Sequence, residues 1–107
     1  MTNSIHQFIR ASRQMGNVRK GDPIGITLAT VAEGEIRIGW SQTNLKAGDR
    51  FSKEKGLLAA ASRAQRGSRK SIPYLARQSA EDLARRARKY FKVDSVALAG
   101  ADRWVQI

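Results

Sequence analysis

The sequence predicts an α+β domain: a small antiparallel sheet of two hairpins, with helices packed mainly on one face. Apolar residues alternate with polar or small residues over 24–40 and again over 96–107, which is typical of strands. Between these segments, apolar residues recur at helical spacing in two stretches bounded by glycine, serine and proline. A chain of 107 residues supports one core, so we expect residues 1–107 to form a single domain with the element order αββααββ.

The first expected element is a helix within residues 1–20. Ile5, Phe8 and Ile9 fall near helical spacing, and Gly16 would end the helix. The segment contains no acidic residue, which is also typical of organellar transit peptides. We favour a terminal helix that covers the core.

The next two elements are expected to form a hairpin. Ile26 and Leu28 share one face of the first strand, and Ile38 belongs to the apolar face of the second. A two-residue loop, Glu33-Gly34, would place these apolar faces on opposite sides of the sheet. A three-residue loop, Ala32-Glu33-Gly34, would bring them to the same side, and we therefore predict it.

A helix is then expected to run to about Arg66, with either Ser52 or Asp49 as its N-cap and Gly67 at its end. Its alanines would let it lie flat on the apolar face of the hairpin, with basic residues pointing away from the sheet. The expected buried side consists of Leu57, Leu58, Ala60, Ala61 and Ala64. The basic residues on the other side are Lys55, Arg63 and Arg66.

A second helix is expected after a turn at residues 67–71. Pro73 would open a short helical turn, and Ser79 would cap the main helix, with Asp82 three residues further on. Its core stripe is expected to be Leu83, Ala84, Ala87, Tyr90 and Phe91. A basic stripe would lie opposite, formed by Arg85, Arg88, Lys89 and Lys92.

The last expected element is a second hairpin. Val96 and Leu98 alternate with small residues, Gly100-Ala101-Asp102 supplies a turn, and residues 104–107 return. No internal repeat or low-complexity tract interrupts the chain. One compact domain therefore accounts for all of it.

The positive charge is concentrated in residues 46–92. The formal net charge is +11, and this stretch holds fourteen of the twenty basic residues against four acidic ones. An excess of one sign repels itself, and bound phosphate groups would relieve that repulsion. We therefore expect nucleic acid, either DNA or RNA, as the partner. The expected contact residues are Lys55, Arg63, Arg66, Arg69, Lys70, Tyr74, Arg85, Arg88, Lys89 and Lys92, which would line one groove if the helices lie side by side.

Base stacking by aromatic side chains is a weaker expectation. Phe51, Trp40 and Trp104 could stack on bases, but a domain of this size needs such rings in its core. Tyr74, in the turn region, is the one ring that we expect to be exposed. Arg37, on the open face of the first hairpin, is a second candidate contact.

The sequence offers no assembled set of catalytic residues. Its only histidine, His6, has no acidic neighbour in sequence, and neither a nucleophile elbow nor a P-loop occurs. Since cysteine is absent, thiolate metal sites are excluded. We expect no enzyme activity, no metal and no cofactor. No apolar run approaches the length of a membrane span, so we also expect no membrane partner and a cytoplasmic location.

The first six expected elements resemble the prokaryotic type of KH domain. The turn that corresponds to the Gly-x-x-Gly of this family reads Gly67-Ser68-Arg69-Lys70, with lysine in place of the second glycine. The resemblance implies that paired helices grip a single strand of nucleic acid at this turn.

A second resemblance is local. Gly39-Trp40-Ser41, Asn44, the segment 49–53 and the following helix through Arg63-Ala64 are similar to small phage accessory proteins. This resemblance covers about a quarter of the chain and implies a phage-type protein with no known activity, of a size and kind that often bind nucleic acid. The alternative that it implies is an inhibitor that binds an acidic surface of a host enzyme or defence complex. The oligomeric state is left open.

Overall fold

The computed structural model describes residues 3–107 and consists of a five-stranded mixed sheet with one helix on each face. The strands lie in chain order, and only the third and fourth are parallel. The strands are β1 (Ser4–Arg10), β2 (Pro23–Ala32), β3 (Glu35–Gln42), β4 (Val96–Ala99) and β5 (Trp104–Gln106), and the helices are α1 (Lys53–Arg66) and α2 (Tyr74–Phe91). The α+β class is confirmed, but the observed order βββααββ differs from the expected one.

The two helices cover opposite faces of the sheet. Gly56 of α1 lies over Ile26 of β2, whereas Ser79 of α2 is hydrogen-bonded to Thr27 of β2 at 2.9 Å. Neighbouring residues of a strand point to opposite faces, so the prediction of helices mainly on one face is wrong. The physical reason is visible in β2, which is buried without a break over residues 24–30 and has side chains for two cores.

The turn between β2 and β3 is the two-residue Glu33-Gly34, so the predicted three-residue loop is also wrong. Both residues have positive φ, 54° and 75°, as a tight hairpin turn of type I′ requires. Ile38 therefore pairs with Ala29 rather than with Leu28. Because both faces of the sheet are covered, the apolar sides of β2 and β3 do not have to coincide. Ile38 enters the core under α2, while Leu28 enters the core under α1.

The predicted terminal helix is wrong, because residues 4–10 form β1 and pair antiparallel with β2. Ile5 and Ile9 are four residues apart, a spacing that suits one face of a helix and equally one face of a strand. The open edge of β2 decides between them, since its backbone N–H and C=O groups need partners. Ile9 is buried and belongs to the core under α2.

Helix α1 begins and ends as predicted. The Ser52 hydroxyl accepts a hydrogen bond from the Lys55 amide at 3.3 Å, and the Gly67 amide donates to the Arg63 carbonyl at 2.8 Å. Ala60 and Ala64 are fully buried and pack with Ile26 and Leu28, but Leu58, which was expected in the core, is 68% exposed.

The contact between α1 and β3 is made at the level of the backbone. A side-chain carbon at Gly39 would collide with the carbonyl oxygen of Ala60 and with the amide nitrogen of Ala64. Only glycine at this position lets the helix lie this close to the strand.

Helix α2 is continuous from Tyr74, so Ser79 is not an N-cap. Ser79 is buried in the middle of the helix, where its hydroxyl is shared between Thr27 Oγ1 at 2.9 Å and Gln7 Nε2 at 3.0 Å. A serine three residues before an aspartate resembles a helix start, but here the polar group is satisfied by the sheet. Leu83, Ala84 and Ala87 are buried as predicted, whereas Tyr90 is 60% exposed.

The linker between the helices, residues 67–73, passes from one face of the sheet to the other. It is fastened to the loop between β4 and β5: Ser68 and Arg103 form an isolated antiparallel bridge, and the Ala101 amide donates to the Lys70 carbonyl at 3.3 Å. The antiparallel pairing of β4 with β5 agrees with the predicted C-terminal hairpin.

We expect the substitution Gly39→Ala to lower the free energy of unfolding by about 1–3 kcal/mol or more, because the added methyl group meets backbone atoms that cannot move aside singly. Gly56→Ala is the matched control. A methyl group there would lie 3.2 Å from the flexible end of Ile26, and the gain in helix propensity of about 1 kcal/mol offsets that contact. Urea denaturation measures both variants. Equal midpoints for Gly39→Ala and the unmodified protein would contradict the close approach.

Candidate nucleic-acid interface

Four connecting segments meet at one end of the sheet because of the strand directions. Strands β1, β3 and β4 run one way, and β2 and β5 run the other. The loop after β1, the loop after β3 and the loop after β4 therefore lie at the same end, and the linker between the helices is fastened there. We call this surface the basic end and define it as residues 10–22, 43–55, 66–73 and 100–103.

The basic end carries twelve of the twenty basic residues against four acidic ones. The basic residues are Arg10, Arg13, Arg19, Lys20, Lys46, Arg50, Lys53, Lys55, Arg66, Arg69, Lys70 and Arg103. All twelve are exposed, and within residues 3–107 none of them forms an ion pair. The acidic residues of the molecule that do pair lie elsewhere, in the β2–β3 turn region and on α2.

Local structure holds the first of these loops in shape. Arg10 donates a hydrogen bond from its guanidinium to the Gly21 carbonyl at 2.9 Å. The Asp22 carboxylate accepts from the backbone amide of Arg19 at 2.9 Å, so this acidic group stabilises a turn and forms no ion pair. The basic side chains of the loop are thus displayed on a folded segment.

Both helices begin at the basic end. Helix α1 follows the loop after β3, and α2 follows the linker. Helix α2 has no side-chain cap at Pro73 and no acidic residue in its first turn. Helix α1 has one acidic residue in its first turn, Glu54. The partial positive charges of two helix N-termini therefore add to the charge of the side chains.

The ten residues predicted from the sequence fall into separate places. Lys55, Arg66, Arg69 and Lys70 belong to the basic end, and Tyr74, at the start of α2, is 74% exposed. Four further predicted residues lie in the second half of α2 or directly after it, toward the opposite end of the sheet: Arg85, Arg88, Lys89 and Lys92. Because the helices lie on opposite faces, they do not form the single groove that was expected.

Arg63 is the tenth predicted residue, and it is partly buried against the sheet. Its guanidinium donates to the Trp40 carbonyl at 2.7 Å and lies 4.4 Å from the centre of the Trp40 ring. Burial lowers the pKa of Arg63 below its ordinary value, although an arginine stays charged under such conditions. The expectation that Arg63 points away from the sheet is wrong, since its contacts hold α1 to β3.

The two arginines of the basic stripe of α2, Arg85 and Arg88, are engaged within the molecule. Arg88 donates to the Asp94 carbonyl at 2.9 Å and to the main-chain oxygen of Ile107 at 2.8 Å. Arg85 is paired with Asp82, and Arg77 is paired with Glu81 at 3.3 Å. Further along, the Arg86 guanidinium donates to the Gln7 side chain at 2.8 Å. The exposed face of α2 thus has mixed charge, contrary to the single sign expected from the sequence.

Eight residues of the basic end were missed: Arg10, Arg13, Arg19, Lys20, Lys46, Arg50, Lys53 and Arg103. The charge pattern contains a signal for seven of them, since residues 1–20 contain four basic residues and no acidic one, and three more lie in the basic stretch 46–92. The apolar spacing of residues 1–20 instead predicts a helix over the core. No spacing in the sequence indicates that this segment, the loop after β3 and the β4–β5 loop come together, because only the sheet topology joins them.

An open cleft of about 670 Å³ lies within the basic end, between the loop after β1 and the loop after β3. Apolar side chains line it: Met15, Val18, Pro23, Leu45 and Phe51. A second, more polar compartment of about 650 Å³ adjoins it at residues 49–51 and reaches the start of α1 at Ser52 and Lys55. The two compartments share the side chain of Phe51.

The other aromatic candidates are less available. Trp40 is 4% exposed, and its indole N–H donates to the Ala99 carbonyl at 2.8 Å. Trp104 is half-buried under the guanidinium of Arg37, at 5.2 Å. Arg37 itself is paired with both Glu33 and Glu35 at 3.3 Å. Of the four rings considered from the sequence, Tyr74 is exposed and Phe51 lines the cleft.

Within residues 3–107, no group of three histidine, aspartate or glutamate side chains is placed to hold a metal ion. His6 is exposed, and its ring packs edge-on against Phe8 with the ring centres 6.3 Å apart. No helix in this part of the chain is long and apolar enough to cross a membrane.

Comparison with known proteins finds no matching family model, no matching curated protein and no matching solved structure.

We expect Arg63→Met to lower the free energy of unfolding by about 1–3 kcal/mol, because it removes a charged hydrogen bond and a contact with the Trp40 ring. The matched control is Arg66→Met, one turn away in the same helix, where the side chain is exposed and the expected change stays within about 0.5 kcal/mol. Chemical denaturation checks both. A loss of stability in the Arg66 variant alone would contradict this assignment of roles.

Proposed function

We propose that this protein is a non-catalytic nucleic-acid-binding protein that contacts phosphates through the basic end. One observation carries the proposal: twelve exposed basic residues, without an ion pair among residues 3–107, share one end of the sheet with four acidic residues. Ordinary solvated surfaces mix the two signs, which lowers self-repulsion. A surface with a large excess of positive charge is stabilised when a polyanion replaces its counterions.

The composition of the basic end supports phosphate as the contacted group. Seven of its twelve basic residues are arginines, whose forked guanidinium matches phosphate oxygens with two parallel hydrogen bonds. The N-termini of α1 and α2 add backbone N–H groups at the same surface. The smallest dimension of the molecule is 25 Å, so a surface that spans one end can contact several consecutive phosphates.

The proposal keeps one feature of the KH-like resemblance, strand binding at the turn, and it does not depend on the phage-type resemblance. The Gly67–Lys70 turn belongs to the basic end and contributes Arg69 and Lys70, so a role of this turn in binding a strand is retained. The proposed contact surface is wider than that turn, since it includes the loops after β1 and β3. Host nucleic acid or the nucleic acid of a phage would be bound in the same way.

We expect binding that weakens steeply with salt. Neutralising about five phosphates gives a slope of log affinity against log salt near −4.5 on duplex DNA and near −3.5 on a single strand. Fluorescence anisotropy with labelled oligonucleotides measures this, and intact oligonucleotide after incubation with Mg²⁺ would agree with the absence of catalysis. If no oligonucleotide binds at low salt, the proposal is overturned, and an acidic protein surface becomes the partner to test.

Two double variants with the same change in net charge test whether the basic end is the surface that binds nucleic acid. Arg69→Glu with Lys70→Glu changes the basic end, and Lys89→Glu with Lys92→Glu changes the far end of α2; each lowers the formal net charge from +11 to +7. We expect the first pair to weaken binding more than tenfold and to reduce the salt slope on duplex DNA by about 1.8. The second pair should weaken binding only a few-fold, through net charge. A larger loss in the second pair would place the site on α2.

A further inference from the structure

We propose that the apolar cleft of the basic end binds an unpaired base, so that the ligand of this protein is single-stranded nucleic acid. This inference rests on the proposed function and narrows its substrate class. The cleft has a volume of about 670 Å³, within the range of roughly 300–1,000 Å³ that is typical of ligand-binding clefts.

The lining of the cleft differs from the surface around it. Elsewhere the basic end presents charged and polar groups, whereas here Met15, Val18, Leu45 and Phe51 form one apolar depression. Met15 is 39% exposed, and a thioether is a favourable neighbour for a flat aromatic group. Contacts with phosphates alone require basic side chains and N–H groups, and they do not require an apolar depression.

Both walls of the cleft are formed before any ligand binds. On one side, the amide and carbonyl groups of Met15 and Val18 exchange two hydrogen bonds, of 2.8 and 2.9 Å, around a tight turn. On the other side, Leu45 begins a short 3₁₀ turn that Asn44 caps with its side chain at 3.2 Å. Because these segments are already ordered, a bound base does not have to compensate the cost of arranging them.

The charges around the cleft indicate which apolar group would enter it. Two basic residues, Lys46 and Arg50, and one acidic residue, Asp49, line the cleft itself, and Lys55 with the start of α1 lies in the adjoining compartment. A strand that crosses here would place a base in the apolar depression and its neighbouring phosphates beside cations on either side. A nucleobase attached to a phosphate backbone combines these two properties.

The geometry favours a single strand over a duplex. In a duplex, the faces of the bases are stacked on one another, and only phosphates, sugars and base edges are available. An unpaired base can leave the stack and bury its faces among apolar side chains. A duplex would therefore use the cations of the basic end but leave the cleft empty.

The decisive experiment compares three ligands of the same length and charge per strand: a single-stranded oligonucleotide, the same backbone without bases, and a duplex. The full chain is titrated with each at one salt concentration. We expect the base-containing single strand to bind at least about fivefold more tightly than the abasic strand, which is about the least that stacking of one base contributes. Equal affinity for the two would overturn the inference while leaving the proposed function intact.

A pair of variants assigns the effect to the cleft. Met15→Ser removes an apolar side chain from the cleft, and Leu58→Ser removes one from the outer face of α1, where the leucine is 68% exposed. We expect Met15→Ser to lose several-fold of the preference for bases while its affinity for the abasic strand stays unchanged. Leu58→Ser should keep the full preference. If both variants retain it, bases bind elsewhere and the inference is overturned; if no oligonucleotide of any kind binds, the proposed function fails with it.

Discussion

The contact between α1 and β3 at Gly39 is the constraint on which the rest of the structure depends. The helix backbone at Ala60 and Ala64 lies directly against the strand, and no side chain fits between them. Dispersion and burial are strongest where two backbones come this close, because small residues leave no gap between the layers. With α1 held here, its first residue lies at one end of the sheet near the β1–β2 loop, and Gly67 lies at the same end against Arg103. The linker then has one short route to the other face.

A sheet that is covered on both sides has consequences for charge as well as for packing. Each face of β2 is buried, so its polar groups need internal partners, and Thr27, Ser79 and Gln7 provide them for one another. The helices cannot share a groove, and Arg77, Arg85 and Arg88 of α2 contact acidic residues or main-chain oxygens of their own surroundings. Arg63 and Arg88 therefore hold elements together, and most of the basic residues without an ion pair in residues 3–107 lie at the loops of the basic end.

The basic end is a product of strand direction. Basic residues that are far apart in the chain become neighbours because three strands end at this point and the two helices start there. The same convergence leaves a depression between two ordered loops, and its apolar lining is flanked by Lys46, Arg50 and one acidic residue, Asp49. Charge, helix N-termini and cleft thus occur together without any one motif in the sequence containing them.

The amino-acid sequence alone determined the α+β class, the bounds of α1, the buried residues Leu83, Ala84 and Ala87 of α2, and the antiparallel pairing of the last two strands. These features depend on local signals, namely the Ser52 cap, the Gly67 stop and short-range apolar periodicity. Tertiary structure decided between conformations that the local sequence favours equally. It placed Ile5 and Ile9 on a strand, gave Glu33-Gly34 the tight turn, and put Ser79 inside a helix, because each choice depends on which faces of the sheet are covered. The position of the charge followed from that choice: a net charge of +11 is readable from composition, but its concentration at one end requires the directions of five strands.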